Sequence, residues 1–323
     1  MSKLVSVIIP AYNVEKYIEM AIASVQRQTY RQWELLVVDD GSTDATKAKI
    51  EKMALSDPRI HLFCEANAGS SHARNTGLAN AKGDYVAFLD GDDLWEPTFL
   101  EEMLTAKEKA GVAMAYCGYA HLYSFGMKRG FRHQYAEGDV LLASIKGKCP
   151  IHIGCTLVDK ALYDEHNLRF TDGCLIGQDR EFILKLVALT KVVSLPKELM
   201  LYRIRKGSAI RAKWQWQKHI HAIYGARRAR NFILQRRSGQ SDYNEISAAF
   251  TQRIASQWSK FLWRMVKKGY HDEALSLMEN PEYSLELAAL DKSLLSRKGQ
   301  VQADIVSGRN LGLWKLLSKI PII

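Results

Sequence analysis

Three aspartates follow an apolar, strand-like run in the segment VAFLDGDDLW at residues 86–95. Asp90, Asp92 and Asp93 stand directly behind that run, where a carboxylate costs free energy unless another group pairs with it. The spacing D-x-D lets two carboxylates face one point, and Gly91 between them lets the backbone come close to a ligand. Because a hard divalent cation takes oxygen ligands and neutralises a diphosphate, the segment predicts a metal and phosphate site.

The residues around this segment indicate a parallel sheet that would carry such a site. Strand-like and helix-like runs alternate through the first 120 residues, and the strands are rich in β-branched residues. This alternation predicts an α/β fold with a doubly wound, mainly parallel sheet flanked by helices. The predicted strands are 4–9, 33–39, 59–65 and 84–90, and helices are predicted after the cap Asn13, after the GSTD turn, near Ser71 and at Pro97.

Polar clusters fall where three of the predicted strands end, at residues 10–13, 39–44 and 90–93. In doubly wound sheets, ligands gather beyond the carboxyl ends of the strands. We therefore expect these three clusters to lie together and to form one ligand site.

The C-terminal part of the chain differs in pattern and in charge. Residues 112–205 mix strand-like and helical segments, and the chain beyond about 211 is almost entirely helical in period. We therefore predict a sheet domain at 1–210 and a helical extension at 211–323. Residues 199–323 hold 22 Lys/Arg and 9 Asp/Glu, a net charge of +13, whereas the rest of the chain carries −3. This asymmetry predicts an anionic partner: a membrane surface, a nucleic acid or a phosphorylated substrate.

Cysteine usage and hydropathy narrow the cellular location. The five cysteines are scattered without a C-x-x-C pair, which argues against a zinc site or a disulfide framework and suits a reducing cytoplasm. The N-terminal apolar run meets Pro10 too early for a secretory signal, and no window approaches the roughly 18 to 20 apolar residues that span a bilayer. These patterns predict a cytoplasmic protein, or one peripheral on the cytoplasmic face of a membrane.

Four motifs identify a family resemblance. The first strand ends in PAYN, so neither a Rossmann glycine fingerprint nor a P-loop follows it. PAYN (10–13), VVDDGSTD (37–44), N-A-G-x-x-x-A-R-N-x-G (67–77) and FLDGDD (88–93), in this order, resemble family 2 glycosyltransferases of the GT-A fold. The resemblance implies inverting transfer of a sugar from a nucleotide diphosphate donor, commonly UDP-linked, with Mg²⁺ or Mn²⁺ as the cofactor.

The resemblance also implies roles for individual residues at the donor site. Asp40 would hydrogen-bond the uracil ring with Asp39 nearby, although D-G-S-T-D is also good turn chemistry. Arg74 would lie near the nucleotide, or it could be a surface helix arginine. The remaining implied contacts are Pro10, Ala11 and Tyr12 at the uracil, Asp90 at the ribose, Asp92 at the metal and Asp93 beside the donor sugar.

An inverting transfer needs a base that removes the proton of the acceptor hydroxyl. The family usually supplies it as the Asp of a Glu-Asp pair that starts a helix, and 176-IGQDREFILKL-186 matches with Asp179. Gln178 replaces the Glu, which keeps the hydrogen-bonding shape and removes a negative charge. The alternative is that Asp179 only complements the helix dipole.

A further match, 202-YRIRKGSAIR-211, resembles the family's Y-R-x-H-x-x-S segment. Arg205 stands where the family commonly has a His that helps to hold the metal or diphosphate. An arginine cannot ligate a metal but can bind phosphate, so Arg205 is predicted at the diphosphate, with Arg203 or Lys206 as alternatives. His133 and His152 could touch the acceptor, but a lone His is more often structural, and neither receives a role.

The predicted function is transfer of a hexose or N-acetylhexosamine from a UDP-sugar to a growing cell-surface glycan, whose lipid-linked form would explain the basic half. The alternatives are the same chemistry on a soluble or phosphate-rich polymer, a non-catalytic nucleotide-sugar-binding protein, and a nucleic-acid binder. The run RAKWQWQKHIHAIYGARRARNF could bind nucleic acid or form one buried helix face, and the tail LWKLLSKIPII could lie in an anionic interface or pack on the protein. Nucleic acid is not expected as a partner, and assembly of identical chains stays open.

Overall fold

The computed structural model describes residues 3–123, 126–130, 134–205 and 214–318. The chain divides into two compact units. The first unit comprises Met1–Cys174 and Gln178–Lys213, and the second comprises Leu175–Gly177 and Trp214–Ile323.

One mixed sheet forms the centre of the first unit. Its strand order is β3-β2-β1-β4-β8-β6-β9-β5, and β7 pairs with β6. β1 runs parallel to β2 and β4, β2 parallel to β3, and β6 parallel to β9, so the predicted α/β fold with a mainly parallel sheet is confirmed. The strands are β1 (Val5–Ala11), β2 (Trp33–Asp40), β3 (Ile60–Glu65), β4 (Tyr85–Phe88), β5 (Leu94–Trp95), β6 (Met114–Leu122), β7 (Lys128–Gly130), β8 (Thr156–Asp159) and β9 (Val192–Arg203).

Helices cover this sheet and begin close to the predicted positions, with one exception. Asn13 does not cap the first helix, which begins at Ile18. It adopts a left-handed φ of 50° instead, and its side-chain oxygen accepts a hydrogen bond from the backbone N–H of Thr43 at 2.8 Å. The helices are α1 (Ile18–Gln26), α2 (Thr46–Ser56), α3 (Ser70–Asn80), α4 (Phe99–Ala110), α5 (Leu141–Ile145), α6 (Lys160–Glu165) and α7 (Gln178–Val187).

Close packing of α3 on the sheet requires a glycine. A Cβ atom on Gly77 would lie 2.4 Å from Cγ2 of Ile8, a fully buried residue of β1. Only a residue without a side chain lets the helix come this close to the strand. This contact fixes α3, and with it Arg74, relative to the carboxyl ends of the central strands.

The second unit is helical in the part that the structure describes, which confirms the predicted helical C-terminal region. Its core includes Trp214, Trp258 and Trp314, each almost fully buried. The basic run at 211–232 therefore has a buried face in its described part, and the tail packs through Trp314 onto the protein, whereas residues 319–323 lie outside the described residues. The helices are α8 (Trp216–His219), α9 (His221–Arg237), α10 (Tyr243–Lys268), α11 (His271–Glu279), α12 (Pro281–Ala288), α13 (Arg297–Ser307) and α14 (Leu311–Ser318).

None of the five cysteines forms a disulfide, and four of them are buried. Cys64 is exposed on the edge strand β3, where it lies in register with Asp39 of β2. Among the described helices, none combines the length and the hydropathy that a membrane crossing requires.

Candidate active site

Arg74 of α3 connects two carboxylates that come from distant parts of the chain. Its Nη2 donates to Oδ1 of Asp90 at 2.7 Å, and its Nη1 donates to Oδ1 of Asp179 at 2.9 Å. The Arg74 side chain is only 3% exposed, whereas that of Asp179 is 38% exposed. Burial lowers the pKa of Arg74, but Asp179 and Asp90 outweigh it and raise the pKa overall. The structure thus brings three predicted site residues together and leaves Asp179 open to solvent.

Two contacts from the segment before α7 hold Arg74 in place. The Asn75 amide accepts a hydrogen bond from the backbone N–H of Phe170 at 2.9 Å and donates to its carbonyl at 2.9 Å. The Phe170 ring lies 5.2 Å from the Arg74 guanidinium and stacks on Phe182 of α7 at 3.8 Å. α3 and α7 are therefore joined through Phe170, which fixes Arg74 and Asp179 relative to one another.

Asp90 stays ionised in this environment. Burial raises the pKa of the Asp90 carboxyl, but the Arg74 charge and hydrogen bond hold the pKa below its ordinary value. Its second oxygen accepts no hydrogen bond from the described residues.

Asp92 contacts two arginines, Arg203 at the end of β9 and Arg205 two residues further on. The Arg205 Nε donates to Oδ2 of Asp92 at 2.6 Å, and the Arg203 Nε donates to the Asp92 carbonyl at 2.7 Å. Both guanidinium groups also lie near the Tyr17 ring, at 5.0 and 5.4 Å from its centre. The arginine that replaces the family's histidine thus binds the residue predicted to hold the metal. Lys206, the other predicted phosphate ligand, lies outside the described residues.

Asp93 points into the protein. It is 1% exposed, and its Oδ1 accepts a hydrogen bond from the backbone N–H of Arg203 at 2.8 Å. Burial, together with the charges of Asp90 and Asp92, raises the pKa of Asp93 well above its ordinary value. Its Oδ2 is buried without a hydrogen-bond partner among the described residues. Its geometry is that of a residue that joins the DGDD turn to β9.

The two acids at the end of β2 have different environments, although both are buried. Asp40 accepts hydrogen bonds from the backbone N–H groups of Ala68 and Gly69, the former at 2.7 Å. Asp39 accepts one weak bond, from the Ser42 N–H at 3.3 Å, and its Oδ1 is buried without a partner. Asp40 therefore binds the loop before α3, whereas Asp39 retains an oxygen for a ligand.

Gly41, the residue after Asp40, has no room for a side chain because the loop before α3 lies against it. Gly41 has a left-handed φ of 69°, and a Cβ there would lie 2.8 Å from the backbone nitrogen of Asn67. The predicted nucleotide contacts at the end of β1 follow nearby in the sheet, because Pro10 and Ala11 pair with Val38 and Asp39. Tyr12 is 48% exposed, so its ring is accessible at this edge.

Gln178, which replaces the expected glutamate, begins α7 beside the start of α3. Its amide lies 3.4 Å from the Ser70 hydroxyl, and its Oε1 is buried without a hydrogen bond. Gln178 therefore lies against α3 without adding charge next to Asp179.

His152 is the residue near the site that the sequence left without a role. The carboxylates of Asp90 and Asp179 both act electrostatically on its imidazole. Burial nevertheless lowers the pKa of His152, so the ring is neutral at pH 7. Only its place in the apolar segment CPIHIGC distinguished it in the sequence, and that signal is weak. His133 lies outside the described residues.

Two carboxylates of the DGDD turn fit one side of a divalent-cation site. No group of three or more acidic, His or Cys ligands occurs among the residues that the structure describes. Asp90 and Asp92, spaced as D-x-D, each retain one oxygen without a hydrogen bond from those residues. Mg²⁺-type sites commonly use one or two carboxylates with phosphate oxygens and water, and this donor set matches that pattern.

The fold of this chain has counterparts among solved proteins. The Staphylococcus aureus TarS fragment 1–349, solved with UDP-GlcNAc, shares this fold with a TM-score of 0.70 at 19% identity, over 98% of this chain and 91% of that one. The model of the family described as "Glycosyl transferase family 2" matches residues 6–177. The chain therefore belongs to glycosyl transferase family 2.

Two relatives illustrate the family's range. Glycosyltransferase GlyA of Streptococcus pneumoniae is 35% identical over 247 residues, which are 71% of this chain and 34% of GlyA. The Escherichia coli protein named UDP-Glc:alpha-D-GlcNAc-diphosphoundecaprenol beta-1,3-glucosyltransferase WfgD is 44% identical over 117 residues, which are 36% of this chain and 46% of WfgD. The chain spans about a third to two-thirds of the length of the first curated relatives that it matches.

Proposed function

We propose that the protein is an inverting glycosyltransferase that moves a hexose or N-acetylhexosamine from a UDP-sugar to an acceptor hydroxyl. The observation that carries the proposal is the open Asp179 carboxylate, which the buried Arg74 holds beside Asp90. Asp179 takes the proton of the acceptor hydroxyl while the acceptor oxygen forms a bond to the anomeric carbon. The bond from that carbon to the diphosphate breaks, and UDP leaves with the electron pair from the opposite face.

The end of the sheet at β1 and β2 binds the nucleotide in this proposal. The unpartnered Oδ1 of buried Asp39 supports a hydrogen bond to the uracil ring, since Asp40 already binds the backbone of Ala68 and Gly69. We therefore assign the contact with the uracil ring to Asp39, whereas the family resemblance implied Asp40. In this proposal Asp40 holds the loop before α3. Pro10, Ala11 and exposed Tyr12 border the base, and Asp90 binds the ribose.

The negative charge of the leaving diphosphate is neutralised in this proposal by a cation at the DGDD turn and by Arg205. Asp92 would hold Mg²⁺ or Mn²⁺, and the cation would neutralise charge on the diphosphate. Arg205 binds the diphosphate and leaves Asp92 when the donor enters, because a guanidinium matches two phosphate oxygens. Buried Asp93 positions Arg203 and the turn instead of contacting the donor sugar.

The acceptor in this proposal is a growing surface glycan on a lipid carrier. WfgD, a relative, is named for transfer to a sugar on diphosphoundecaprenol. Residues 214–268 hold 11 Lys/Arg and 2 Asp/Glu, a charge that favours an anionic carrier or membrane surface. We propose that the helical extension from about residue 211 serves this contact on the cytoplasmic face of a membrane.

Thermal unfolding with a panel of nucleotides tests the donor class. In the presence of Mn²⁺, UDP and one UDP-sugar, each at a concentration of about 100 times its own Kd, should stabilise the protein by about 2.7 kcal/mol. GDP at the same concentration should stabilise it less. Donor hydrolysis in the same panel then names the sugar. A wild-type protein that UDP does not stabilise with Mn²⁺ or Mg²⁺ would refute the proposal.

A further inference from the structure

Four aromatic side chains form a cluster on β6, β9 and the segment before β8. The ring of Tyr119 lies 5.5 Å from that of His152 and 6.0 Å from that of Tyr202, and His152 lies 5.6 Å from Tyr202. His121 extends the cluster, at 5.8 Å from Tyr119 and 6.0 Å from Tyr202. All four residues are partly exposed, so part of the cluster reaches solvent.

Strand order explains why these rings meet. His121 and Tyr202 are register partners on parallel strands, as are Tyr119 and Met200, so these side chains share one face of the sheet. β6 and β9 lie on one side of β4, and β1 and β2, which carry the proposed nucleotide contacts, lie on its other side. The DGDD turn directly follows β4, the strand between these two groups.

The backbone of Arg203 links the cluster to the DGDD turn, because Arg203 follows Tyr202 and donates its N–H to Asp93 at 2.8 Å. The charges of Asp93, Asp92 and Asp90 add to burial and raise the pKa of Tyr202 to about 12. His152 lies close enough to Asp90 and Asp179 for both carboxylates to act on its imidazole. The cluster therefore lies beside the DGDD turn.

His152 presents a defined hydrogen-bond donor. Its Nδ1 accepts a hydrogen bond from the backbone N–H of Gly154 at 3.1 Å. In a neutral imidazole one nitrogen accepts and the other carries the proton, so the proton of His152 is on Nε2. The Tyr202 hydroxyl makes no hydrogen bond to the described residues and remains able to donate or accept.

We propose that Tyr119, His152 and Tyr202 form the subsite that holds the acceptor sugar, which is a neutral pyranose. The apolar face of the pyranose lies on the tyrosine rings, and Nε2–H of His152 donates to a hydroxyl beside the one that reacts. A uronic acid fits less well, because its carboxylate would lie close to Asp90 and Asp179. This inference rests on the proposed function, since it assigns the acceptor side of the same site.

Ligand-observed saturation-transfer NMR tests the subsite without a donor. The probes are methyl α-N-acetylglucosaminide, methyl α-glucoside, methyl α-galactoside and methyl α-glucuronide. We expect saturation of the ring C–H protons of at least one neutral pyranoside, and none for the glucuronide. Absence of transfer to all three neutral probes, or equal transfer to the glucuronide, would overturn the proposal.

Variants then locate the binding surface. Tyr119→Leu removes the ring, and His152→Asn keeps an acceptor for the Gly154 N–H while it removes the Nε2 donor. We expect each to raise the Kd of the pyranoside at least tenfold, and Tyr119→Phe, which keeps the ring, to raise it less. Tyr243→Leu, the same change in the helical unit, should leave it at the wild-type value.

UDP affinity separates failure of the subsite from failure of the proposed function. UDP binding by the wild-type protein together with a wild-type pyranoside Kd in Tyr119→Leu and His152→Asn would refute the subsite alone. Absence of UDP binding by the wild-type protein would refute the proposed function, and the NMR experiment would still decide whether the rings bind a pyranose. A Tm within a few degrees of wild type shows that each variant is folded.

Discussion

Arg74 binds Asp90 at 2.7 Å and Asp179 at 2.9 Å through the two ends of one guanidinium group. Asp90 belongs to the proposed donor site, and Asp179 is the proposed base. A planar guanidinium cannot turn toward one carboxylate without changing its geometry to the other. The position of the base is thus tied to the residue that meets the donor, and the two halves of the reaction share one rigid support.

Removal of Arg74 should destabilise the fold as well as the reaction. Arg74→Ala leaves two carboxylates facing each other, and we expect a loss of about 2 kcal/mol, below the cost for a fully buried pair because both carboxylates contact solvent. Urea unfolding measures this loss. Asp179→Asn in the Arg74→Ala background should recover part of it, and additive effects in this double-mutant cycle would contradict the shared ion pair.

Asp179→Asn should separate turnover from donor binding. Loss of the base lowers kcat by about 10²- to 10⁴-fold, whereas the UDP affinity measured by calorimetry changes little. Asp164→Asn, which changes a 49% exposed aspartate of α6 that pairs with Lys160, is the matched control and should keep wild-type kcat. Retained turnover in Asp179→Asn would remove Asp179 as the base.

Asp39 and Asp40 should respond differently to the same change. Asp39→Asn should weaken UDP binding by about tenfold or more, with stability close to wild type, because it alters the oxygen that we assign to the ring. Asp40→Asn should lower stability by about 1 to 3 kcal/mol, because it disturbs the bonds to Ala68 and Gly69. Calorimetry with UDP and urea unfolding distinguish them, and the reverse pattern would return the ring contact to Asp40.

Substitutions of Asp92 and of Arg205 should have opposite effects on metal affinity. We expect chelation with EDTA to weaken UDP binding to the wild-type protein by about tenfold or more, and Asp92→Asn to abolish this metal dependence. Arg205→Gln frees Asp92 and should tighten Mn²⁺ binding while it weakens UDP binding in EDTA. Unchanged UDP affinity on chelation would place the neutralising charge on the arginines alone.

One ion pair gives a clear pH dependence of stability. The hydrogen bonds of Asp57 to Arg59 are the main reason why its pKa falls to about 2. Since the folded-state pKa lies below the unfolded value of 3.8, this stabilisation is complete above about pH 4 and is lost as the pH falls toward 2. Arg59 is 37% exposed, so solvent screens the pair and we expect only about 1 kcal/mol. In Asp57→Asn, urea unfolding should show a smaller loss of stability between pH 4 and 2.

The sequence predicted the sheet well because strand period and turn chemistry are local. Predicted strand 33–39 and observed β2, at Trp33–Asp40, differ by one residue. The prediction that Asn13 caps a helix was wrong because its side chain binds the backbone N–H of Thr43, 30 positions away, and no local pattern reveals that contact.

The site was predicted as a set of residue types and not as a set of contacts. Spacing placed Asp90, Asp92 and Asp93 in one turn, but the bond from the Arg203 backbone to Asp93 spans 110 positions. The bond from Arg74 to Asp179 spans 105 positions. Such pairings depend on the way the strands assemble, so sequence alone could not separate the inward-facing acid from the outward-facing ones.

Cys64 offers a way to observe the nucleotide site without changing it. It is the exposed thiol on β3, and its register partner is Asp39. Partial burial of the Cys64 thiol raises its pKa, so a maleimide dye reacts faster at mildly alkaline pH, where more of the thiolate is present. A single fluorophore there would report occupancy beside Asp39 in real time, with the four buried cysteines left in place.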